Sequence, residues 1–176
     1  MIYRYMQNIP EVDKSVFIAP NATLIGRVKV GKGASIWFNT ILRGDINSIE
    51  VGSDSNIQDN CVLHVTLEHA VKVEERVTVG HGVILHGCTV KSNCLIGMGS
   101  VLLDGVVINE GCLIAAGAVV SPGTNVPANS LVMGVPGKVV RKLEPQEQQR
   151  MQTNWKSYVE YSREYQDPSM FSEISV

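Results

Sequence analysis

The chain has 176 residues, room for one domain and little more. Fifteen Lys and Arg stand against 17 Asp and Glu, a net charge of −2 with no basic run, which excludes a protein that tracks nucleic-acid phosphates. A helical bundle is excluded for most of the chain, because 25 Val and 14 Ile outnumber 11 Leu and β-branched side chains suit strands.

The opening MIYRYMQNIP lacks the apolar core of a signal peptide, and no apolar stretch is long enough to cross a bilayer. A cytoplasmic protein with no membrane or nucleic-acid partner is expected. From Ile18 an aliphatic residue recurs at a step of six: Leu24, Val30, Ile36, Leu42, Val51, Ile57, Leu63, Val73, Val79, Leu85, Val90 and every sixth residue to Val132. The step is three residues longer before Val51, four longer before Val73 and one shorter before Val90. Four positions after each aliphatic residue the chain is mostly small, as at Ala22, Ala34, Thr40, Ser55, Cys61, Thr89, Cys94, Ser100, Cys112 and Thr124. This pattern describes a parallel β-helix of triangular section, in which three rungs make one coil and coils stack about 4.8 Å apart. A β-sandwich would need alternation by twos and hairpin turns, and the one Asp-Gly dipeptide, Asp104-Gly105, falls inside the repeat. Nineteen rungs give a little over six coils, from about residue 16 to 140. The cysteines show no CxxC spacing and read as small buried hydrophobes.

The repeat converts histidines into geometry. His64 follows Leu63 and His86 follows Leu85, and Leu63 to Val73 to Val79 to Leu85 is one full coil. The two imidazoles therefore share a slot on one face, about 4.8 Å apart, and both reach one ion at a Zn–N distance of about 2.0–2.1 Å. Arg43 follows Leu42 one coil earlier and stacks below His64, with Asp45 at the corner beyond; an interfacial ion pair is the plain reading of these two. His81, third in the rung begun by Val79, lies around a corner on another face, with Gln58 and Asp59 one coil below. It meets the other two only where the corner of one solenoid abuts the face of the next. The counting thus predicts a homotrimer with metals at its interfaces; the alternative is that these are solvated surface histidines. His69, in the four-residue insertion, reads as an exposed loop residue.

The repeat stops after Val139. Glu144-Pro145 opens a helix, Pro suiting its first turn, and Met151, Trp155, Tyr158, Ser162 and Tyr165 recur at helical spacing on one face. The expected organisation is a solenoid over 1–143, a helix over 144–166 lying along the solenoid or a neighbour, and a polar, fraying tail over 167–176.

The segments LRGD (42–45), NIQDN (56–60), LHVT (63–66) and VGHGVILHGC (79–88), with the repeat and the closing GVPGKVVR, resemble γ-class carbonic anhydrase-like proteins. The resemblance runs from about Val16 to Arg141 and includes the C-terminal helix. It implies an all-β, left-handed parallel β-helix, a homotrimer, and zinc, or iron or cobalt in its place, held by His64, His81 and His86. It assigns Arg43 and Asp45 to an intersubunit pair, Gln58 to the neighbourhood of the metal-bound water and Tyr158 to the pocket. The implied activity is CO₂ hydration to bicarbonate: zinc brings the pKa of a bound water from about 15.7 towards 7, and the hydroxide attacks CO₂. Gln58 would orient the nucleophile or CO₂, and Arg43 would attract the anionic product. The chain departs from the family pattern at Ile46, where the resemblance implies a proton-accepting Glu, and in a short loop after His64, VTLEHAVKVEE. Weak, buffer-dependent hydration is therefore expected, with Glu68 or His69 as the available substitutes. The same repeat also fits acyltransferases that bind coenzyme A between solenoids, metal-dependent thioester hydrolases, and non-catalytic metal-binding proteins.

Overall fold

A computed structural model describes residues 1–174 and contains 20 strands and one helix. Most strands have two or three residues, because a six-residue rung spends the rest on a corner. Pairing between strands is parallel except at the C-terminal end, where Lys138–Lys142 runs antiparallel to Ser130–Met133 and covers that edge; an isolated antiparallel bridge joins Tyr5 and Asn8. The chain is an all-β parallel solenoid of about seven turns with a single C-terminal helix, the architecture of a left-handed β-helix.

The aliphatic slot fills the lumen. Leu42, Leu63, Leu85, Leu102 and Val120 are successive Cα partners on one face, and each is fully buried. Every rung residue from Leu24 to Val132 is buried, and only Ile18, at the open first coil, is partly exposed. Thr89 is a correction: it is half-buried, and Cys88 takes the inward slot instead. The short rung keeps its spacing to the following aliphatic residue, Val90, rather than to the preceding Leu85. Thr124 is also only half-buried. All four cysteines are free and buried, and burial pushes the thiols of Cys61 and Cys88 up to about 12.

The irregular steps leave the lumen intact. The three residues added before Val51 are absorbed into one continuous strand, Ile41–Val51, which pairs with Thr23–Val30 across a register shift at Gly26/Val28. Gly44 of the LRGD segment is required there, since a Cβ would stand 2.6 Å from the Arg27 carbonyl oxygen. The four added before Val73 form a loop tied by Thr66 N–H to the His69 carbonyl, 3.0 Å, and by His69 N–H to Thr66 Oγ1, 2.9 Å.

The three outer faces differ in chemistry. One carries an outward ladder of Lys29, Glu50 and Lys72 and suits water. A second carries Ile41, Val62 and Ile84, exposed by 40%, 38% and 41%. The third is covered by the helix Pro145–Glu164, which has Pro at its start and a reciprocal capping box between Glu144 and Glu147. Gln148 reaches Asn129, Gln152 reaches Asn93, Asn154 accepts from Thr78, and Tyr158 and Tyr165 pack edge-on against Trp37. The helix therefore runs back along its own solenoid. The described part of the tail is anchored rather than frayed, because the Phe171 ring lies 4.8 Å from Tyr165 and 6.0 Å from Phe38.

Candidate metal centre

Parallel pairing places Arg43, His64 and His86 as successive Cα partners, one coil apart on the apolar face. Alternation turns all three outward, since Leu42, Leu63 and Leu85 beside them point into the lumen. The imidazole centroids of His64 and His86 are 5.2 Å apart, and His64 Nδ1 lies 3.2 Å from His86 Nε2. Each ring turns its other nitrogen to a carboxylate: His64 Nε2 is 3.2 Å from Asp45 Oδ1, and His86 Nδ1 is 2.5 Å from Asp104 Oδ1. Arg43 pairs with the second oxygen of Asp45. Partial burial pushes the Asp45 carboxyl up, but bonds from Arg43, His64 and the Ile46 N–H outweigh it and hold the group below its ordinary value.

Sequence reasoning missed Asp104, although the signal was present. Asp104 stands two residues after the rung residue Leu102, at the corner that follows that rung, as Asp45 stands at the corner three residues after Leu42. His69 is a correction: it is half-buried rather than exposed. A Cβ on Gly87 would stand 2.9 Å from His69 Cβ, and one on Gly105 would lie 3.4 Å from its ring, so the loop is docked on this corner. A hollow of about 970 Å³ opens in front of His64 and His86, rimmed by Ile46, Leu67, His69, Asp104 and Pro122.

The remaining expected residues gather elsewhere. His81 occupies the corner after Thr78–Val79, its side chain 47% exposed and its Nδ1 2.7 Å from Asp59 Oδ2. Gln58 is buried beneath the helix, where its amide donates to Asn56 at 3.1 Å; Asn56 donates to Thr78 and Thr78 to Asn154. Tyr158 lines a hollow of about 350 Å³ with Trp37, Phe38 and Asp59. Burial, the Asp59 charge and Tyr161 raise its phenol above the ordinary value. The structure thus brings together Arg43, Asp45, His64 and His86 on one side and Gln58, His81 and Tyr158 on the other, around Asp59. Among the described residues no trio of His, Cys, Asp or Glu converges on a metal position within one chain.

The histidine pair fits a metal on its own geometry. Two nitrogens bound to one tetrahedral zinc at about 2.0–2.1 Å stand about 3.3 Å apart, close to the His64–His86 separation. The carboxylates behind both rings supply the support that orients ligating imidazoles.

Comparison with known proteins now adds a family. Residues 87–122 match the model described as bacterial transferase hexapeptide (six repeats). The chain is 45% identical over 165 residues to the carbonic anhydrase of Geobacillus kaustophilus, covering 94% of this chain and 91% of that protein. It is 39% identical over 186 residues to γ carbonic anhydrase 2, mitochondrial, of Arabidopsis thaliana, covering 99% and 67%. The chain belongs to the γ-class carbonic anhydrase-like family. A crystal structure of a hexapeptide transferase family protein from Anaplasma phagocytophilum aligns with this γ-class chain at a TM-score of 0.91 and 41% identity, covering 94% and 98%. Family membership makes the protein a carbonic anhydrase-like lyase. Among its described residues no helix is long and apolar enough to cross a membrane.

Proposed function

We propose that the protein is a homotrimeric, zinc-dependent carbonic anhydrase in which His64 and His86 of one subunit and His81 of the partner subunit hold the ion. The observation that carries this reading is the His64–His86 pair, with nitrogens 3.2 Å apart and each ring backed by a carboxylate. The apolar ladder of Ile41, Val62 and Ile84 supports the assembly, because it lies on the same face beside the pair and stays about two-fifths exposed among the described residues. The corner bearing His81, with Gln58 and Tyr158 close by, is the complementary half.

When bound, the ion supplies hydroxide at neutral pH and CO₂ is hydrated to bicarbonate. The chain's own residues do the rest. Asp45 and Asp104 hold the two rings in place, and the Arg43 guanidinium offers a positive charge to the anionic product. Gln58, fixed by Asn56, orients the small neutral substrate or the nucleophile, and Tyr158 closes the apolar side of the partner corner.

One observation favours a second reading, hydrolysis or transfer of an acyl group. In the single chain the open hollow in front of the pair, about 970 Å³ with Ile46, Leu67 and Pro122 on its rim, has an apolar edge suited to an acyl chain. The test is metal analysis of the purified protein followed by assays of wild type and His64→Ala for CO₂ hydration and acyl-thioester cleavage. About one zinc per chain and a hydratase lost in His64→Ala support the anhydrase. Thioester cleavage without hydration supports the second reading, and a metal-free protein overturns both metal-dependent activities.

A further inference from the structure

We infer that Asp104 is a positioning residue that holds His86 with Nε2 aimed at the ion, an inference that rests on the metal-centre reading above. Its Oδ1 lies 2.5 Å from His86 Nδ1, which leaves Nε2 as the nitrogen facing His64. The carboxylate is delivered by rigid backbone. Gly105 N–H donates to the Gly87 carbonyl at 2.7 Å, and Gly123 N–H donates to the Asp104 carbonyl at 2.8 Å, so the turn is tied to the coils on both sides. Space is kept for it by Gly87, where a Cβ would stand 3.0 Å from Asp104 Oδ1.

The bland alternative is a turn-forming aspartate. Asp13 and Asp167 show what that looks like here: each accepts from the backbone N–H of a serine two residues on. Asp104 instead directs its oxygen at a ring eighteen residues earlier. It also differs from Asp45, whose charge is shared with Arg43. Among the described residues the one basic side chain that Asp104 pairs with is His86. Four successive coils therefore contribute Asp45, His64, His86 and Asp104 in order, a carboxylate at each end of the pair.

The experiment is titration of the apo-trimer with Zn²⁺ against a chromophoric chelator, together with the visible spectrum of the Co²⁺-loaded protein. Asp104→Asn, which keeps the shape and loses the charge, should weaken Zn²⁺ binding about tenfold, and Asp104→Ala between about 10- and 100-fold. Asp104→Glu should recover part of the loss, and the Co²⁺ spectrum should change in the Asn and Ala variants. Wild-type affinity and an unchanged spectrum in both variants overturn the inference. So does a lowered apo melting temperature in all three variants with wild-type affinity, which marks a merely structural role. A wild-type protein that takes up no Zn²⁺ overturns the metal centre itself, a different failure.

Discussion

Replacing Ile84 with Asp should take the trimer apart while leaving each solenoid folded. Ile84 is 41% exposed and stacks in Cα register with Val62 and Ile41, 38% and 40% exposed. Fully burying such a side chain is worth about 1.5–3 kcal/mol, so covering the remaining two-fifths is worth about 0.6–1.2 kcal/mol each. The column of three then contributes about 2–4 kcal/mol per subunit to assembly. An Asp forfeits one share and places an unpaired carboxylate in the interface, where an uncompensated buried charge costs about 3–5 kcal/mol. That sum weakens association by more than two orders of magnitude. Sedimentation velocity at micromolar concentration should show a monomer with wild-type circular dichroism. Its zinc content should fall well below one per chain, because the proposed centre takes His81 from the partner subunit. Lys72→Ala, on the charged face, is the control and should change none of these. A variant that stays trimeric, or a monomer that binds zinc with wild-type affinity, would refute the reasoning.

Three further outcomes are expected. Leu85→Ala should cost about 3–4 kcal/mol, within the usual range of about 2–5, because the ladders above and below keep the lumen from collapsing around a fully buried position. A shift in urea midpoint worth under about 1 kcal/mol would contradict it. At the helix start, the Arg141 guanidinium and the Glu144 N–H hold the Glu147 carboxyl at about 2, below the ordinary 4.5. The stability it contributes is present above 4.5 and is lost as pH falls from there through about 2; a carboxyl resonance titrating near 4.5 would sink the claim. Finally, with Ile46 where a proton-accepting Glu is expected, hydration by the zinc-loaded protein should rise with imidazole buffer concentration. Rapid turnover without added buffer would show that Glu68 or His69 already moves the proton.

Much of this was legible because a solenoid converts counting into position. One aliphatic slot fixes the lumen, and with it the alignment of Arg43, His64 and His86 on one line. The failures share a cause: they depend on contacts that counting does not reach. Thr89 and Cys88 exchange places because a five-residue rung can be indexed from either neighbour. Asp104 was disguised by Gly105 as a turn dipeptide, and its offset of two from Leu102 differs from the three that separate Asp45 from Leu42. His69 is held by a docked loop whose resting place needs two glycines on coils remote in sequence, Gly87 and Gly105. Burial of Gln58 and anchoring of Phe171 both follow from where the helix lies, which spacing along the helix left undecided between its own solenoid and a neighbour.

The same regularity explains why the proposed centre draws its third histidine from a second chain. Residues sharing a slot on a β-helix face form a row spaced by about 4.8 Å, so a third ligand in that row lies about 9.6 Å from the first. Two metal–nitrogen bonds span only about 4.2 Å, which admits two neighbours in the row and no third. The slots flanking the pair hold Arg43 and Leu103, neither of them a ligand. A third ligand must approach from in front of the face, where among the described residues no trio of His, Cys, Asp or Glu converges, and His81 is fixed at a different corner beside Asp59. In the proposed centre the third ligand therefore comes from a second copy, for which the apolar ladder beside the pair offers a surface. On the proposed reading, metal binding and assembly would be one linked equilibrium: whatever strengthens the contact along Ile41, Val62 and Ile84 would strengthen the hold on the ion, and removing the ion would loosen the contact.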